Sequence, residues 1–296
     1  RDEADMLPFA NKRYWIMKTH ADKQYPVVFG GDSRIYRGIS PDHFEEAFPG
    51  MEGVNLGYSA SGFHPKYMEY METRLDKEAA QPLIVTGISA LPFSTMGAKS
   101  RSFFWEKRRR KKEEIIQYMY FYEINRLFAP FDIMAILTGN RKRKANFNTQ
   151  ITYHFNGWME SHQLNPDTTF YNKRYRNAWT DNPFDRENAE RFLDKVEAWT
   201  RQDIIVVGFR TPATWKLQQL EDSLSGFAVD SFKTRFIRHG GHWIEVDRSR
   251  YTTYDGNHLE HASAIRFSRD LGRAIRKIYE QNDSTRSVYP VPPEKK

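Results

Sequence analysis

The sequence of 296 residues contains no cysteine. This absence excludes disulfide bonds, thiol nucleophiles and metal sites built on thiolates, and it is compatible with an oxidising compartment. The sequence also has no apolar run as long as the roughly 18 residues that a transmembrane helix needs. It lacks the glycine-rich motifs that bind nucleotide phosphates. We therefore expect neither thiol chemistry nor a membrane span nor a nucleotide-binding loop.

The chain does have enough apolar and aromatic residues for a sizeable core, at 39% and 15% of the composition. Its length fits one large α/β domain or two small ones. The net charge of +7 favours anionic partners such as acidic glycans, phosphate polymers, lipid head groups or nucleic acid. No recognised nucleic-acid-binding module accompanies the basic runs, so we expect no nucleic-acid partner.

Strand-like and helix-like segments alternate along most of the chain. Short apolar runs predict five strands, at 27–30, 53–57, 83–88, 204–209 and 243–246. Helical spacing of apolar residues predicts helices after Pro41 and at 64–77, 188–200, 213–224, 230–238 and 258–281. This alternation predicts an α/β fold, with a parallel sheet covered by helices on both faces. We assign a single domain to 1–296, with an insertion at about 98–183.

Two short motifs near opposite ends of the sequence carry residues suited to nucleophilic catalysis. Gly31-Asp32-Ser33 follows a predicted strand, and Asp255 and His258 open the last helical pattern. In acyl transfer, a histidine takes the proton of a serine while a carboxylate orients the imidazole. The alternative interpretation is structural: Gly-Asp-Ser is an ordinary turn, and Asp255 caps a helix whose first turn contains His258.

In this order, the two motifs resemble those of the GDSL/SGNH hydrolase superfamily. The segment 54–59 resembles the second block of that family, and 82–89 resembles the third. The resemblance covers about 1–97 and 184–280. It implies a flavodoxin-like three-layer sandwich with a central parallel sheet, to which the insertion adds a basic, helical part.

The resemblance also implies roles for individual residues. Ser33, His258 and Asp255 are the expected nucleophile, base and orienting carboxylate. The expected oxyanion donors are the N–H groups of Ser33 and Gly57, helped by Ser89, which stands where the family usually has asparagine. The implied activity is serine-dependent ester chemistry without a cofactor. The enzyme is an esterase if water resolves the acyl-enzyme and an O-acyltransferase if a sugar hydroxyl does.

A narrower resemblance concerns substrate and location. The divergent third block and the basic insertion are similar to SGNH proteins that work beside membrane-bound O-acyltransferases, such as the alginate O-acetylation and teichoic acid D-alanylation proteins. This similarity implies an acylated glycan or an anionic envelope polymer as substrate. It also implies an extracytoplasmic location, with an anchor preceding Arg1 left open. The alternative is a catalytically inactive SGNH-like domain that binds a glycan or a membrane-bound acyltransferase.

The insertion concentrates the positive charge of the chain. Between Lys99 and Lys144 there are thirteen Lys or Arg residues and five Asp or Glu residues. Basic runs at 107–112 and 141–144 flank an apolar and aromatic stretch at 115–137, which predicts an amphipathic helical hairpin. We expect 107–144 to contact a membrane surface or a membrane-bound O-acyltransferase. The alternative is a solvated charged face over an ordinary apolar stripe.

Two further residues are candidates for substrate binding. Arg34 follows the proposed nucleophile and either pairs with a carboxylate of the fold or holds an anionic substrate. Trp158 lies in an aromatic-rich stretch and either lines a sugar groove or belongs to the core. The histidine pairs 239/242 and 258/261 lack a third ligand, so no metal site is expected.

Overall fold

The computed structural model describes residues 7–121, 149–170, 174, 176, 179 and 181–288. Seven strands occur there: β1 Val27–Gly30, β2 Gly53–Asn55, β3 Leu83–Ile88, β4 Thr149–Tyr153, β5 Met159–Gln163, β6 Ile205–Arg210 and β7 His242–Ile244. The α-helices of this part are α1 Leu7–His20, α2 Ser33–Gly38, α3 Pro41–Ala47, α4 Pro65–Thr73, α5 Thr95–Ala98, α6 Ser102–Arg108, α7 Lys112–Tyr120, α8 Arg186–Thr200, α9 Trp215–Ser225, α10 Val229–Arg238 and α11 His261–Val288.

Five of the strands form one parallel sheet in the order β2-β1-β3-β6-β7. Its strands are short apolar runs because a parallel sheet is buried on both faces. In the register, Val28 lies beside Val54 and Ile84, and Ile84 lies beside Val206. The predicted α/β fold with a parallel central sheet is confirmed.

Helices cover both faces of this sheet, which makes three layers. On one face of the sheet, the side chains of Val28 and Ile84 pack in a core that includes Met71 of α4, Phe192 of α8 and Phe236 of α10. On the other face, the side chains of the next strand residues, Phe29 and Val85, pack in a core with Ile35 of α2, Phe44 of α3 and Leu271 of α11. Successive strand residues therefore serve opposite cores, as the pleat of a strand requires.

The structure differs from the sequence-based prediction in several elements. Helix α2 was not predicted, and the strand predicted at 53–57 ends at Asn55. The final helix begins at His261 instead of 258. In the insertion, α6 and α7 are helical, but 149–163 forms an antiparallel strand pair where only helices were expected. Most of the predicted hairpin at 115–137 lies outside the described residues.

The β4–β5 hairpin docks against the edge strand β2 beside the main sheet. The Asn55 N–H donates to the Asn156 carbonyl at 2.7 Å. Gly157 has a φ of +89°, and a Cβ there would lie 2.0 Å from the Asn55 carbonyl oxygen, so only glycine fits this turn. Its own carbonyl accepts from Tyr14 Oη and from Lys18 Nζ, which joins the hairpin to α1.

Within the described residues, no helix is both long and apolar enough to span a bilayer.

Candidate active site

Ser33 lies at the carboxyl end of β1, where it is the first residue of α2. Asp32 caps this helix by accepting the Arg34 N–H at 2.9 Å. The first N–H groups of a helix have no acceptor within the helix, so the Ser33 N–H points out of the turn. Asp32 and Arg34 are buried, whereas Ser33 is partly exposed. The sequence thus places a reachable hydroxyl at the edge where parallel sheets bind ligands.

Asp255 and His258 are held in a tight loop that precedes α11. One Asp255 carboxylate oxygen accepts the N–H groups of Asn257 at 2.9 Å and of His258 at 2.7 Å. Gly256 has a φ of +88°, and a Cβ there would lie 2.3 Å from the Thr168 carbonyl oxygen. The carboxylate therefore shapes the loop with one oxygen and leaves the other for the imidazole.

The structure brings Ser33, His258 and Asp255 together in one series of hydrogen bonds. Ser33 Oγ lies 2.8 Å from His258 Nε2, and His258 Nδ1 lies 2.7 Å from Asp255 Oδ2. His258 is 2% exposed and Asp255 is 7% exposed. This is the geometry of a nucleophile, a base and an orienting carboxylate, and it combines side chains 225 residues apart in the sequence.

Burial and nearby cations make the His258 imidazole a weaker base than a free one. Burial lowers the pKa of His258, the Arg37 and Arg34 guanidinium groups lower it further, and attraction to Asp255 opposes them. Burial alone raises the pKa of Asp255, but the charge and hydrogen bonds of His258 hold it below its ordinary value. Near neutral pH, the pair therefore consists of a neutral imidazole and an ionised carboxylate.

The proposed oxyanion donors Gly57 and Ser89 have other partners. The Gly57 N–H donates to Asn55 Oδ1 at 3.0 Å, although Gly57 itself packs against the first turn of α2. The buried Ser89 hydroxyl donates its proton to Asp32 Oδ2 at 2.7 Å. A hydroxyl has a single proton to donate, so Ser89 Oγ supports the helix cap and does not serve as the third oxyanion donor.

The two predicted substrate-binding side chains belong to the interior. Arg34 is 4% exposed and forms a bidentate ion pair with Glu221, so the carboxylate-pairing alternative is correct. Trp158 is 2% exposed and donates its indole N–H to the Arg37 carbonyl at 2.9 Å. Its ring stacks against His154, with centroids 4.6 Å apart. A buried ring that is stacked on protein cannot line a sugar groove, so Trp158 is a core residue.

Sequence reasoning missed Arg37, Tyr254 and Asn257 as neighbours of the base. Arg37 follows Ser33 by one turn of α2 and donates to Tyr254 Oη, whose ring stacks on His258 with centroids 5.8 Å apart. Asn257 Nδ2 lies 3.1 Å from His258 Nε2. Tyr254 directly precedes Asp255, and Asn257 lies between Asp255 and His258, so their place in the sequence was an available signal. The position of Arg37 near His258 could be recognised only once helix α2 was known.

Within the described part of the chain, no group of three or more His, Asp or Glu side chains is arranged to hold a metal ion. His239 instead lies beside Glu197, with 3.3 Å between His239 Nδ1 and Glu197 Oε2. His261 has its Nδ1 2.9 Å from Glu160 Oε1, and Glu160 also contacts His154. These histidines therefore contact single carboxylates on neighbouring elements.

Comparison with known proteins gives no family assignment: no protein-family model matches the chain, and no curated protein matches it. The geometry of Ser33, His258 and Asp255 is therefore the basis for assigning a function.

Proposed function

We propose that this protein performs serine-dependent ester chemistry as an SGNH-type esterase or O-acyltransferase. The observation that supports the proposal is the unbroken series of hydrogen bonds from Ser33 Oγ through His258 to Asp255 Oδ2. It lies at the carboxyl end of a parallel sheet, and the nucleophile is its most exposed member. A structural turn and cap alone would not require the serine and histidine side chains to meet.

The proposed reaction has two stages. Ser33 Oγ attacks the carbonyl carbon of the ester while its proton moves to His258 Nε2. The bond to the leaving alcohol then breaks, and Nε2 returns the proton to the leaving oxygen. Water or a sugar hydroxyl attacks the acyl-serine, gives its proton to Nε2, and releases the acid or the new ester as Ser33 Oγ is reprotonated. Asp255 holds Nδ1–H and stabilises the transient imidazolium.

The negative charge on the carbonyl oxygen requires hydrogen-bond donors. The Ser33 N–H, at the start of α2, has no acceptor within the helix and is the first candidate. The Gly57 N–H packs beside this turn, where an oxyanion would compete with Asn55 Oδ1. Two backbone donors on neighbouring elements are thus the proposed oxyanion hole.

We propose an acylated glycan or anionic envelope polymer as substrate, in an extracytoplasmic setting. The support is a surface on α6 and α7, which we call the basic–aromatic surface. Its exposed cations and rings are Lys107, Arg108, Arg109, Lys111, Lys112, Trp105 and Tyr120. Cations interleaved with amphipathic rings suit a polyanion, or the head groups beside a membrane-bound O-acyltransferase.

A second candidate is a catalytically inactive domain that binds a glycan or a membrane-bound acyltransferase. The specific observation in its favour is that the Ser89 hydroxyl and the Gly57 N–H are both engaged within the protein. Fewer free donors mean weaker stabilisation of an oxyanion, and the loss of one such donor costs about a hundredfold or more in rate.

The decisive experiment is labelling by a fluorophosphonate, followed by intact-mass and peptide analysis, together with turnover of p-nitrophenyl acetate. We expect one adduct on Ser33, and a loss of at least about a thousandfold in kcat/KM for Ser33→Ala and for His258→Ala. Ser223→Ala, on the exposed face of α9, is the matched control. Wild-type turnover by a folded Ser33→Ala variant would refute the proposal. Absence of both adduct and turnover in the parent protein would favour the inactive domain.

A further inference from the structure

A second side chain besides Asp255 holds the His258 ring. Asn257 Nδ2 lies 3.1 Å from His258 Nε2, the nitrogen that also faces Ser33 Oγ at 2.8 Å. Asn257 is 2% exposed. The imidazole is thus contacted on Nδ1 by a carboxylate and on Nε2 by an amide.

The orientation of the Asn257 amide follows from its other neighbour. Arg34 Nε lies 2.5 Å from Asn257 Oδ1. A guanidinium can only donate, so the oxygen of the amide must face Arg34 and the NH2 group must face His258. Arg34 is itself fixed by Glu221, which is fully buried, and by Thr211 Oγ1 at 3.3 Å.

This orientation selects one form of the imidazole. An amide N–H beside a ring nitrogen requires that nitrogen to be unprotonated, and the single lone pair of Nε2 is then shared between the Asn257 amide and the Ser33 hydroxyl. The Nε2 atom of His258 is then unprotonated, and the ring proton lies on Nδ1, facing Asp255 Oδ2. A serine can be deprotonated only by this tautomer.

We propose that Asn257 is a positioning residue of the triad: held by Arg34 and Glu221, its amide keeps His258 neutral, with the proton on Nδ1 and with Nε2 unprotonated beside Ser33. The inference rests on the proposed function, since positioning matters only if His258 acts as a base. Asn257 touches the base and is not required to touch the substrate.

The charged and titratable groups that face His258 are compatible with this role. They are Asp255 on its own loop, Arg34 and Arg37 from α2, and Tyr254, whose ring stacks on the imidazole. Burial raises the pKa of Tyr254 to about 12, so this phenol stays neutral near pH 7. A carboxylate in place of the Asn257 amide would add a second negative charge beside Nε2 and would favour the imidazolium.

The test is a titration of the His258 ring by 15N NMR in the Ser33→Ala background, where turnover plays no part. The His258 signals are assigned by their loss in His258→Gln. We expect the neutral ring to carry its proton on Nδ1. Asn257→Asp, which is nearly isosteric and keeps an oxygen for Arg34, should raise the pKa of His258 by about one to three units. Asn257→Leu removes the donor without adding charge and should increase the share of the Nε2-protonated tautomer.

Asn188→Asp is the matched control, because Asn188 is also a buried amide, 1% exposed, and donates to the carbonyl of Pro92, which is not a residue of the triad. It should leave the His258 titration unchanged. In proteins with an intact Ser33, Asn257→Asp should move the acid limb of kcat/KM to higher pH. A predominantly Nε2-protonated ring in the parent, or an unchanged tautomer and titration in both Asn257 variants, would overturn the inference. Failure of the proposed function appears separately, as a lack of acylation of the parent at Ser33.

Discussion

At the scale of single residues, the burial of His258 sets the pH range in which the proposed enzyme works. Burial, then Arg37 and Arg34, lower the pKa of this imidazole more than Asp255 raises it. Only the neutral ring accepts the Ser33 proton, so activity is present above the pKa of His258 and lost below it. We predict that kcat/KM for a small acetate ester rises with pH to a plateau, with a midpoint below the ordinary value of about 6.5.

Initial rates between about pH 4 and 8 at constant ionic strength measure this midpoint, with circular dichroism at each pH as the control for unfolding. A midpoint at or above the ordinary imidazole value would contradict the prediction. The same shift bears on stability, because a histidine whose pKa is lower in the folded state loses stabilisation as the pH falls from its unfolded pKa through its folded pKa. Stability and activity should therefore decline together on the acid side.

Glu221 is the buried carboxylate that balances the charge of Arg34 and thereby holds the Arg34 side chain beside Asn257. It is fully buried, pairs with Arg34 and lies 3.5 Å from Arg210 NH2. Glu221→Gln would leave the Arg34 charge buried without its carboxylate, which typically costs about 3–5 kcal/mol. Urea denaturation should show this loss in the free energy of unfolding. Glu187→Gln, which removes a surface carboxylate paired with Arg191, should cost less than about 1 kcal/mol. If Glu221→Gln lowered the free energy of unfolding as little as Glu187→Gln does, the interpretation that Glu221 balances the buried Arg34 charge would be wrong.

At the scale of elements, the basic–aromatic surface on α6 and α7 is separate from the triad. Arg110 is largely buried beside Glu106, so it does not belong to the exposed set. We predict that replacing Arg108, Arg109, Lys111 and Lys112 with Gln weakens binding to anionic liposomes or to an acidic glycan. Turnover of a small neutral ester should stay within about twofold, because the four positions lie outside α2 and the loop that carries Asp255 and His258.

The matched control for this surface removes the same charge elsewhere. Arg266, Arg273, Arg276 and Lys277 are exposed on α11, and their replacement with Gln lowers the net charge equally. Binding measured by sedimentation at low and high salt should fall for the α6–α7 variant and remain for the α11 variant. An equal reduction in both would mean that total charge, not this surface, drives association. Unchanged binding by the α6–α7 variant would instead support the alternative that this segment is a solvated charged face without a binding role.

The hairpin of β4 and β5 illustrates why some elements escaped prediction. Strand β4 alternates between partly buried and exposed residues, and β5 buries only Met159 and Ser161, so neither strand has the apolar run of the central sheet. The Asn156-Gly157 pair is a strong hairpin signal, but the sequence analysis considered this stretch only for Trp158, as a sugar-groove or core residue. Helix α2 was missed because its six residues are too few to show a helical period.

At the scale of the whole molecule, the sequence was sufficient to predict the parallel sheet and the proximity of Ser33, His258 and Asp255. Parallel strands such as β3 are buried on both faces, so they read as apolar runs. Ser33, Asp255 and His258 could be singled out because the proposed ester chemistry requires those residue types at strand ends and in loops. The partners of Arg34 and Ser89 were not, since Glu221 lies 187 residues from Arg34 and Asp32 lies 57 from Ser89. No local pattern encodes such pairings.

The distance in sequence between Ser33 and His258 has a consequence for the order in which the molecule refolds. Their contact closes a loop of 225 residues, and the entropy of such closure amounts to on the order of 5 kcal/mol. The strand pairs β1–β2 and β1–β3 and the local helices close far shorter loops, so they are expected to form earlier in refolding. Helix α11 directly follows the loop that carries His258 and packs against α2 and α3, so the contact between the imidazole and the hydroxyl is expected to form with this docking. After dilution from denaturant, the recovery of ester turnover should therefore lag behind the recovery of the circular dichroism signal. Turnover would then report the last step of folding, and circular dichroism would report the earlier formation of helices and strands.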